Sequence, residues 1–300
     1  MKEWFRDTNF RTHSLKLIGE LNHVIEDYQK QGLTLTLRQL YYQCVVQNLF
    51  PNSERSYQNL SRLVTDARMA GLMDWDAIED RARRPRVPQD FDDLDQLVDA
   101  ALGSYRLPRW ADQPNYVELW VEKEALAGVL APIARRYHIT LMVNKGYSSA
   151  SAMYESANRY ISNVKDKDGE HRSLHLLYLG DHDPSGEDMV RDVQERLELF
   201  GAPLEVDKIA ITMPQVKKFK PPPNPAKISD PRADAYIAEH GNHSWEVDAL
   251  PPKVLTQVIT AKLEELVDHD LMDEILAQEE RDKTLLRAAV ASLRKKGKKK

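Results

Sequence analysis

Apolar positions recur at helical spacing in the N-terminal part of the chain. Leu15, Leu17, Ile18, Leu21, Val24, Ile25 and Tyr28 make a broad stripe that predicts a first helix from Glu3 to Gln31, ended by Gly32. Thr36 with Gln39 forms a capping-box pattern ahead of the apolar run from Leu40 to Val46, so a second helix is expected to start at Thr36 and to stop before Pro51 and Asn52. A third is expected from Ser53 to Ala70, with Tyr57, Leu60, Leu63, Val64 and Ala67 on one face, Arg55 and Arg62 on the other, and Gly71 at its end. Three short helices with arginines on the third suggest a helix-turn-helix or winged-helix module in which that helix approaches a DNA groove. A solvated face opposite an apolar stripe gives the same pattern.

The periodicity then breaks. Residues 81–112 hold Pro85, Pro88 and Pro108 and the acidic stretch from Asp90 to Asp95, which predicts a connector with one short helix from Leu94 to Leu102. From Tyr116 onward, apolar runs alternate with helical patterns. Strands are expected at Val117–Val121, Ile139–Val143, Leu174–Leu179 and Lys208–Thr212, and helices at Glu124–Tyr137, Ser148–Val164 and Ser185–Phe200. That alternation predicts an α/β fold with a Rossmann-like parallel sheet covered by helices on both faces. Lys217 to Pro225 is too rich in proline for a regular element and predicts an extended loop continuing to Arg232. Helices are expected from Ala233, from Pro252 to Val267, and from Leu271 to Leu293. The expected organisation is a winged-helix-like domain at 1–88, a linker at 89–115, a sheet domain at 116–215, a loop and helical region at 216–293, and a basic tail at 294–300.

Composition narrows the class. The single cysteine, Cys44, excludes an internal disulfide and any multi-cysteine zinc site. No apolar run approaches the roughly 18 residues that span a bilayer, and Met1 to Asp7 lacks the apolar core of a signal peptide, so a cytoplasmic protein without a membrane partner is expected. The net charge of −5 does not advertise nucleic-acid binding, yet the charge is uneven. Arg81, Arg83, Arg84 and Arg86 cluster, and the stretch from Arg294 to Lys300 is almost wholly basic. Such a tail either adds sequence-independent phosphate affinity or merely solubilises.

The candidate chemistry lies where two expected strands end. Glu122 closes the run from Val117, and Asp181 and Asp183 close the run from Leu174. Side chains in a strand alternate with period two, so the two aspartates share a face if the backbone stays extended through His182. Ligands of such sheets bind at the carboxyl ends of strands. Three carboxylates offer oxygen ligands suited to magnesium, which recruits substrate phosphates as further ligands. Asp183 before Pro184 is equally the pattern of a helix N-cap, and cap and ligand do not exclude each other. This glutamate-then-DxD order resembles the TOPRIM domain shared by topoisomerases, primases and some nucleases.

The stretch from Arg38 to Tyr42, RQLYY, joined in chain order by VEK at 121–123, NKGY at 144–147 and DHDPSG at 181–186, resembles the A subunit of topoisomerase VI and its meiotic double-strand-break relatives. The resemblance implies that Tyr42 is the nucleophile that attacks DNA, with Tyr41 as fallback, that Arg38 assists it, that Glu122 is the TOPRIM glutamate, and that Asp181 and Asp183 bind Mg2+ with it. It also implies double-stranded DNA as partner and a homodimer whose sites are shared between protomers; Arg55 and Arg62 of the third helix, with Lys123 and Lys145, are the expected DNA contacts, and a nucleoid-associated location is expected. Tyr42 is then expected outside the carboxylate pocket of its own chain, and Tyr41 is expected to be the more buried of the pair. No Walker-type glycine-rich motif is present, so ATP-driven strand passage would need a separate ATPase partner. Three readings stay open: transesterification by Tyr42 giving a 5′-phosphotyrosyl link, a metal nuclease using water, and a non-catalytic DNA-binding protein.

Overall fold

The computed structural model describes residues 1–79, 88 and 90–297. The arginines at 81–86 and the last residues of the basic tail lie outside the described residues.

Three helices open the chain: α1 (Thr12–Gln29), α2 (Leu37–Val46) and α3 (Glu54–Met69). The expected capping box starts α2, with Thr36 accepting from the Gln39 backbone and the Gln39 side chain accepting from Thr36. Ser53 caps α3, its hydroxyl accepting from the Ser56 amide. Leu21, Leu40 and Leu60 meet in one fully buried cluster, so the three apolar stripes face one another. Helix α1 begins later than its stripe predicts, because residues before it are drawn out along α3. Trp4 bridges to Ala70, and the Phe5 and Arg6 amides both donate to the Met69 carbonyl. Apart from that bridge and one between Leu35 and Ile78, no strand pairing flanks these helices among the described residues.

After α4 (Leu94–Ser104) the chain enters a mixed α/β unit. Strands β1 (Asn115–Val121), β2 (Thr140–Val143), β3 (Ser173–Leu179) and β4 (Val206–Ala210) form a four-stranded sheet in the order β2-β1-β3-β4, and every neighbouring pair is parallel. Helices α5 (Ala127–Tyr137), α6 (Ala150–Ser162) and α7 (Pro184–Leu199) are the crossovers. Strand parity divides two cores. Leu119, Val121, Leu177 and Leu179 pack with α5 and with α10 (Pro252–Leu266), whereas Trp120, Leu176 and Tyr178 pack with Met153, Tyr160, Val193 and Leu197 of α6 and α7.

The segment expected as a connector is anchored at its far end. Trp110 is buried in the sheet core and donates to the Tyr137 carbonyl at 2.6 Å, while Arg109 forms a two-pronged pair with the buried Glu279 of α11 (His269–Gly297). The proline-rich stretch is only partly the extended loop predicted for it. Thr212 and Gln215 form a capping box that starts α8 (Met213–Phe219), and the prolines from Pro221 act only after that helix has ended. Two-residue strands β5 (Asn224–Pro225) and β6 (His243–Ser244) then pair around α9 (Ala233–His240). A short helical turn at Val247–Ala249 follows, with Val247 and Leu250 in the sheet core and Ala249 in the helical core. This segment joins the two halves of the molecule. No helix among the described residues is long and apolar enough to cross a membrane.

Candidate active site

Val121 of β1 and Leu179 of β3 are register partners, so the residues that follow them emerge side by side at the carboxyl edge of the sheet. Glu122 therefore reaches the next strand, where its Oε2 accepts from the Asp181 amide at 3.1 Å. Gly180 makes room for this contact. A Cβ there would stand 2.6 Å from the Tyr178 ring and 3.3 Å from Glu122 Oε2. Gly186 has a similar reason, since a Cβ at that position would lie 2.3 Å from the Asp181 carbonyl oxygen. The loop after β2 braces the other side, with the Asn144 amide donating to the Val121 carbonyl and the Lys145 amide to that of Glu122.

The condition for a shared face is met: His182 forms an antiparallel bridge with Trp245 and Asp183 is extended. His182 points away to the Tyr236 hydroxyl at 2.8 Å, while Asp181 and Asp183 line a common cavity. Asp183 is also the N-cap of α7, its Oδ1 accepting from the Gly186 amide at 2.6 Å and from the Ser185 hydroxyl at 2.9 Å. Asp181 is held at both oxygens, by the Val247 amide at 2.8 Å and by the Lys123 ammonium at 2.9 Å. Burial pushes the Asp181 carboxyl up to about 6, Lys123 opposes that rise, and the nearby Glu122 adds to it. The Glu122 carboxyl is likewise raised, first by burial and then by Asp183, against the pull of the Asp181 amide and Lys123.

The same cavity, about 660 Å³ in volume, is lined by Arg38 and Tyr42 of α2. Tyr42 thus shares a pocket with the sheet aspartates of its own chain, which corrects the expectation that it lies outside. The physical reason is the segment after β6. Glu246 pairs with Arg38 through both carboxylate oxygens and accepts from Lys123 at 2.8 Å; Asp248 pairs with Lys123 at 3.2 Å and with Arg38 at 3.3 Å. These ion pairs clamp α2 against the sheet edge.

Tyr42 is 3% exposed and Tyr41 4%, so the expected difference in burial between them is absent. Their hydroxyls differ instead. That of Tyr41 is tied to backbone, accepting from the Ser53 amide at 2.7 Å and donating to carbonyls of Pro51 and Ser53, which fixes the turn into α3. That of Tyr42 lies 3.4 Å from Arg38 Nη2, and both tyrosines line the cavity. Burial raises the Tyr42 phenol above its ordinary value, Glu246 and Asp248 raise it further, and Arg38 lowers it less than these together. The arginine's charge is largely answered by Glu246 and Asp248, which limits the help it gives the tyrosine.

No family model matches this chain, and no curated protein matches it.

The remaining expected contacts divide. Lys123 is not a free surface cation but the hub of Asp181, Glu246 and Asp248; burial lowers its pKa, and the three carboxylates outweigh that and raise it. Lys145 is exposed and pairs with Glu124 at 3.0 Å. Arg55 and Arg62 are exposed on α3 and make no ion pair with a described residue. Glu246 and Asp248 were not among the expected site residues. Their spacing, acid then Val then acid, repeats the DxD spacing, but no strand run precedes it to place it at a sheet edge.

Among the described residues no three His, Cys, Asp or Glu side chains gather at the spacing of a metal site. The donor chemistry nonetheless fits a hard cation. Glu122, Asp181, Asp183, Glu246 and Asp248 are answered by Arg38 and Lys123 alone in the ion pairs of this cluster, and the Glu122 and Asp181 carboxyls are raised partly by neighbouring acids.

Proposed function

We propose that this chain is a magnesium-dependent DNA-cleaving enzyme of the topoisomerase VI A type, with a winged-helix-like unit carrying Tyr42 and a TOPRIM-type sheet carrying Glu122, Asp181 and Asp183. The observation that carries the reading is the shared cavity, in which Tyr42 and Arg38 from one unit and Asp181 and Asp183 from the other are brought together. Glu122 joins it through the Asp181 amide. Glu122, Asp181 and Asp183 would hold magnesium, which supplies charge neutralisation at the phosphate and at the leaving oxygen.

The chain's own groups do the rest. The Tyr42 oxygen attacks the phosphorus, a phosphotyrosyl bond forms, and the bond to the 3′ oxygen breaks, leaving a 3′ hydroxyl and a 5′-linked protein. Resealing is the reverse, with Glu122 as acid or base. The phenol must lose its proton, and the raised Tyr42 pKa means that the closed arrangement does not favour this. That observation favours, as a second reading, a metal nuclease of the same site in which water attacks and Tyr42 is structural.

Supercoiled plasmid incubated with protein and magnesium separates the readings. Transesterification gives cleaved DNA with protein on its 5′ ends, and Tyr42→Phe removes both cleavage and adduct. Cleavage that survives Tyr42→Phe but not Glu122→Ala selects the nuclease, and binding without cleavage sinks both. Because tyrosine and aspartates meet within one chain, a mixture of Tyr42→Phe and Asp181→Ala proteins stays inactive. Recovered cleavage in that mixture would instead support a homodimer with shared sites.

A further inference from the structure

The arrangement around Glu246 is that of an anion held by a binding site. Its carboxylate accepts from the Arg38 guanidinium at both oxygens and from the Lys123 ammonium at 2.8 Å. A planar guanidinium beside an ammonium is a receptor for phosphate as much as for carboxylate, because both anions present paired oxygens to the same fork of donors. We propose that Arg38 and Lys123 form a phosphodiester-binding subsite beside Tyr42, and that Glu246 is an internal occupant which substrate phosphate displaces.

Four observations support displacement of this side chain rather than a rigid tie. Glu246 lines the cavity and keeps 21% of its side-chain surface, and Arg38 keeps 45%, so both are reachable from solvent. Asp248, which binds the same two cations, is fully buried and serves as the fixed anchor that keeps them in place once Glu246 leaves. The backbone on either side of Glu246 is pinned, since Trp245 exchanges two hydrogen bonds with His182 and the Val247 amide holds Asp181. Only the Glu246 side chain has to turn. Finally, Arg38 Nη2 is 3.4 Å from the Tyr42 hydroxyl, so an anion that replaces Glu246 on Arg38 arrives next to the proposed nucleophile.

The subsite rests on the proposed function only in naming the anion a phosphodiester. Its test needs no cleavage. A short DNA duplex is titrated into wild-type protein and Glu246→Gln without magnesium, followed by fluorescence anisotropy, and inorganic phosphate is titrated in parallel by thermal shift. Glu246→Gln is expected to bind the duplex about tenfold more tightly, the ratio that corresponds to ~1.4 kcal/mol, and to respond to phosphate at lower concentration. The gain should vanish in the double variant Arg38→Gln/Glu246→Gln. Equal or weaker binding by a Glu246→Gln protein that melts cooperatively near the wild-type temperature overturns the proposal and leaves Glu246 a structural tie. Should that variant fail to fold, wild-type protein decides by NMR. The Arg38 side-chain N–H signal shifts on adding phosphate if the subsite exists, and a signal that stays still overturns it. Tighter phosphate binding without any DNA cleavage would sink the enzyme reading while the subsite stands.

Discussion

Glu118 lies within β1 and Glu122 directly follows its last residue, and they meet opposite surroundings. Glu118 is fully buried in mid-sheet and every oxygen is answered: Tyr116 and Arg159 donate to Oε1 at 2.8 and 2.9 Å, and Trp120 and Arg159 donate to Oε2 at 2.8 and 3.0 Å. Glu122, at the carboxyl edge, is partly exposed and among the described residues its carboxylate accepts a hydrogen bond only from the Asp181 amide, with Asp183 close enough to raise its pKa. One carboxylate is matched by its own cation and two further donors. The other is left short of donors and beside other acids, a condition that burial makes costly and that a ligand relieves.

The sharpest way to break this contrast is to neutralise each glutamate. Glu122→Gln is expected to lower magnesium-dependent cleavage by about 10³-fold, the scale of losing a group that acts on the transition state, while urea unfolding shifts by less than ~1 kcal/mol. A comparable loss of stability would mean that Glu122 is structural after all. Glu118→Ala is expected to do the reverse and cost about 3 kcal/mol in the same unfolding experiment, because it leaves Arg159 and two buried donors without a partner. The figure sits at the low end for a broken buried pair because Arg159 keeps 37% of its side-chain surface.

A smaller effect separates the two regions by pH. Burial pushes the Asp248 carboxyl up to about 6, with Lys123 and Arg38 opposing and Glu246 and Asp181 adding, so the folded state takes up a proton that the unfolded state releases until near pH 4. The stabilisation is fully present below the unfolded value and is lost as pH rises through about 6. The Glu246 carboxyl moves the other way, down to about 2: burial would raise it, but Lys123 and Arg38 more than offset that, so its contribution is present above its ordinary range and persists until strongly acid pH. The melting temperature of the wild type should therefore rise as pH falls from 7 to 5, and Asp248→Asn should reduce that rise, Asp181 supplying the remainder. An unchanged slope in the variant would remove Asp248 as the cause. The smallest effect expected is at Arg55, exposed on α3 and without an ion pair to a described residue. Arg55→Ala should reduce the salt dependence of DNA binding by about one counterion while altering affinity only a few-fold; no change would return α3 to the role of a solvated face.

Much of the fold was legible because its signals are local. The period-two and period-3.6 patterns located all four strands of the sheet and its crossover helices, and the Thr36 and Gln39 capping pair located the start of α2 within the residues predicted for it. Helix α8 escapes the sequence pattern because Thr212, its N-cap, falls at the end of the strand expected at Lys208–Thr212, and its last residues fall in the proline-rich run from Lys217. Of the site, the acid trio at the sheet edge could be read from where strands end. The hub could not. Glu246 lies 208 residues from Arg38 and 123 from Lys123, and nothing in the local pattern around Trp245 marks it as the point where two cores meet.

Glu118 and Glu122 show where the division falls. Sequence alone determined that Glu122 and the Asp181–Asp183 pair stand where expected strands end, since that follows from the local apolar pattern. It could not decide that Glu118 is a satisfied core pair and that Glu122 is short of donors, because Arg159 reaches Glu118 from α6 and the Asp181 amide reaches Glu122 from the residues after β3. Nor could it place Tyr42 beside Asp181, since that depends on Arg38, Lys123, Glu246 and Asp248 closing an ion-pair cluster across the junction. Local chemistry chose the elements, and long-range charge pairing chose which of their residues meet.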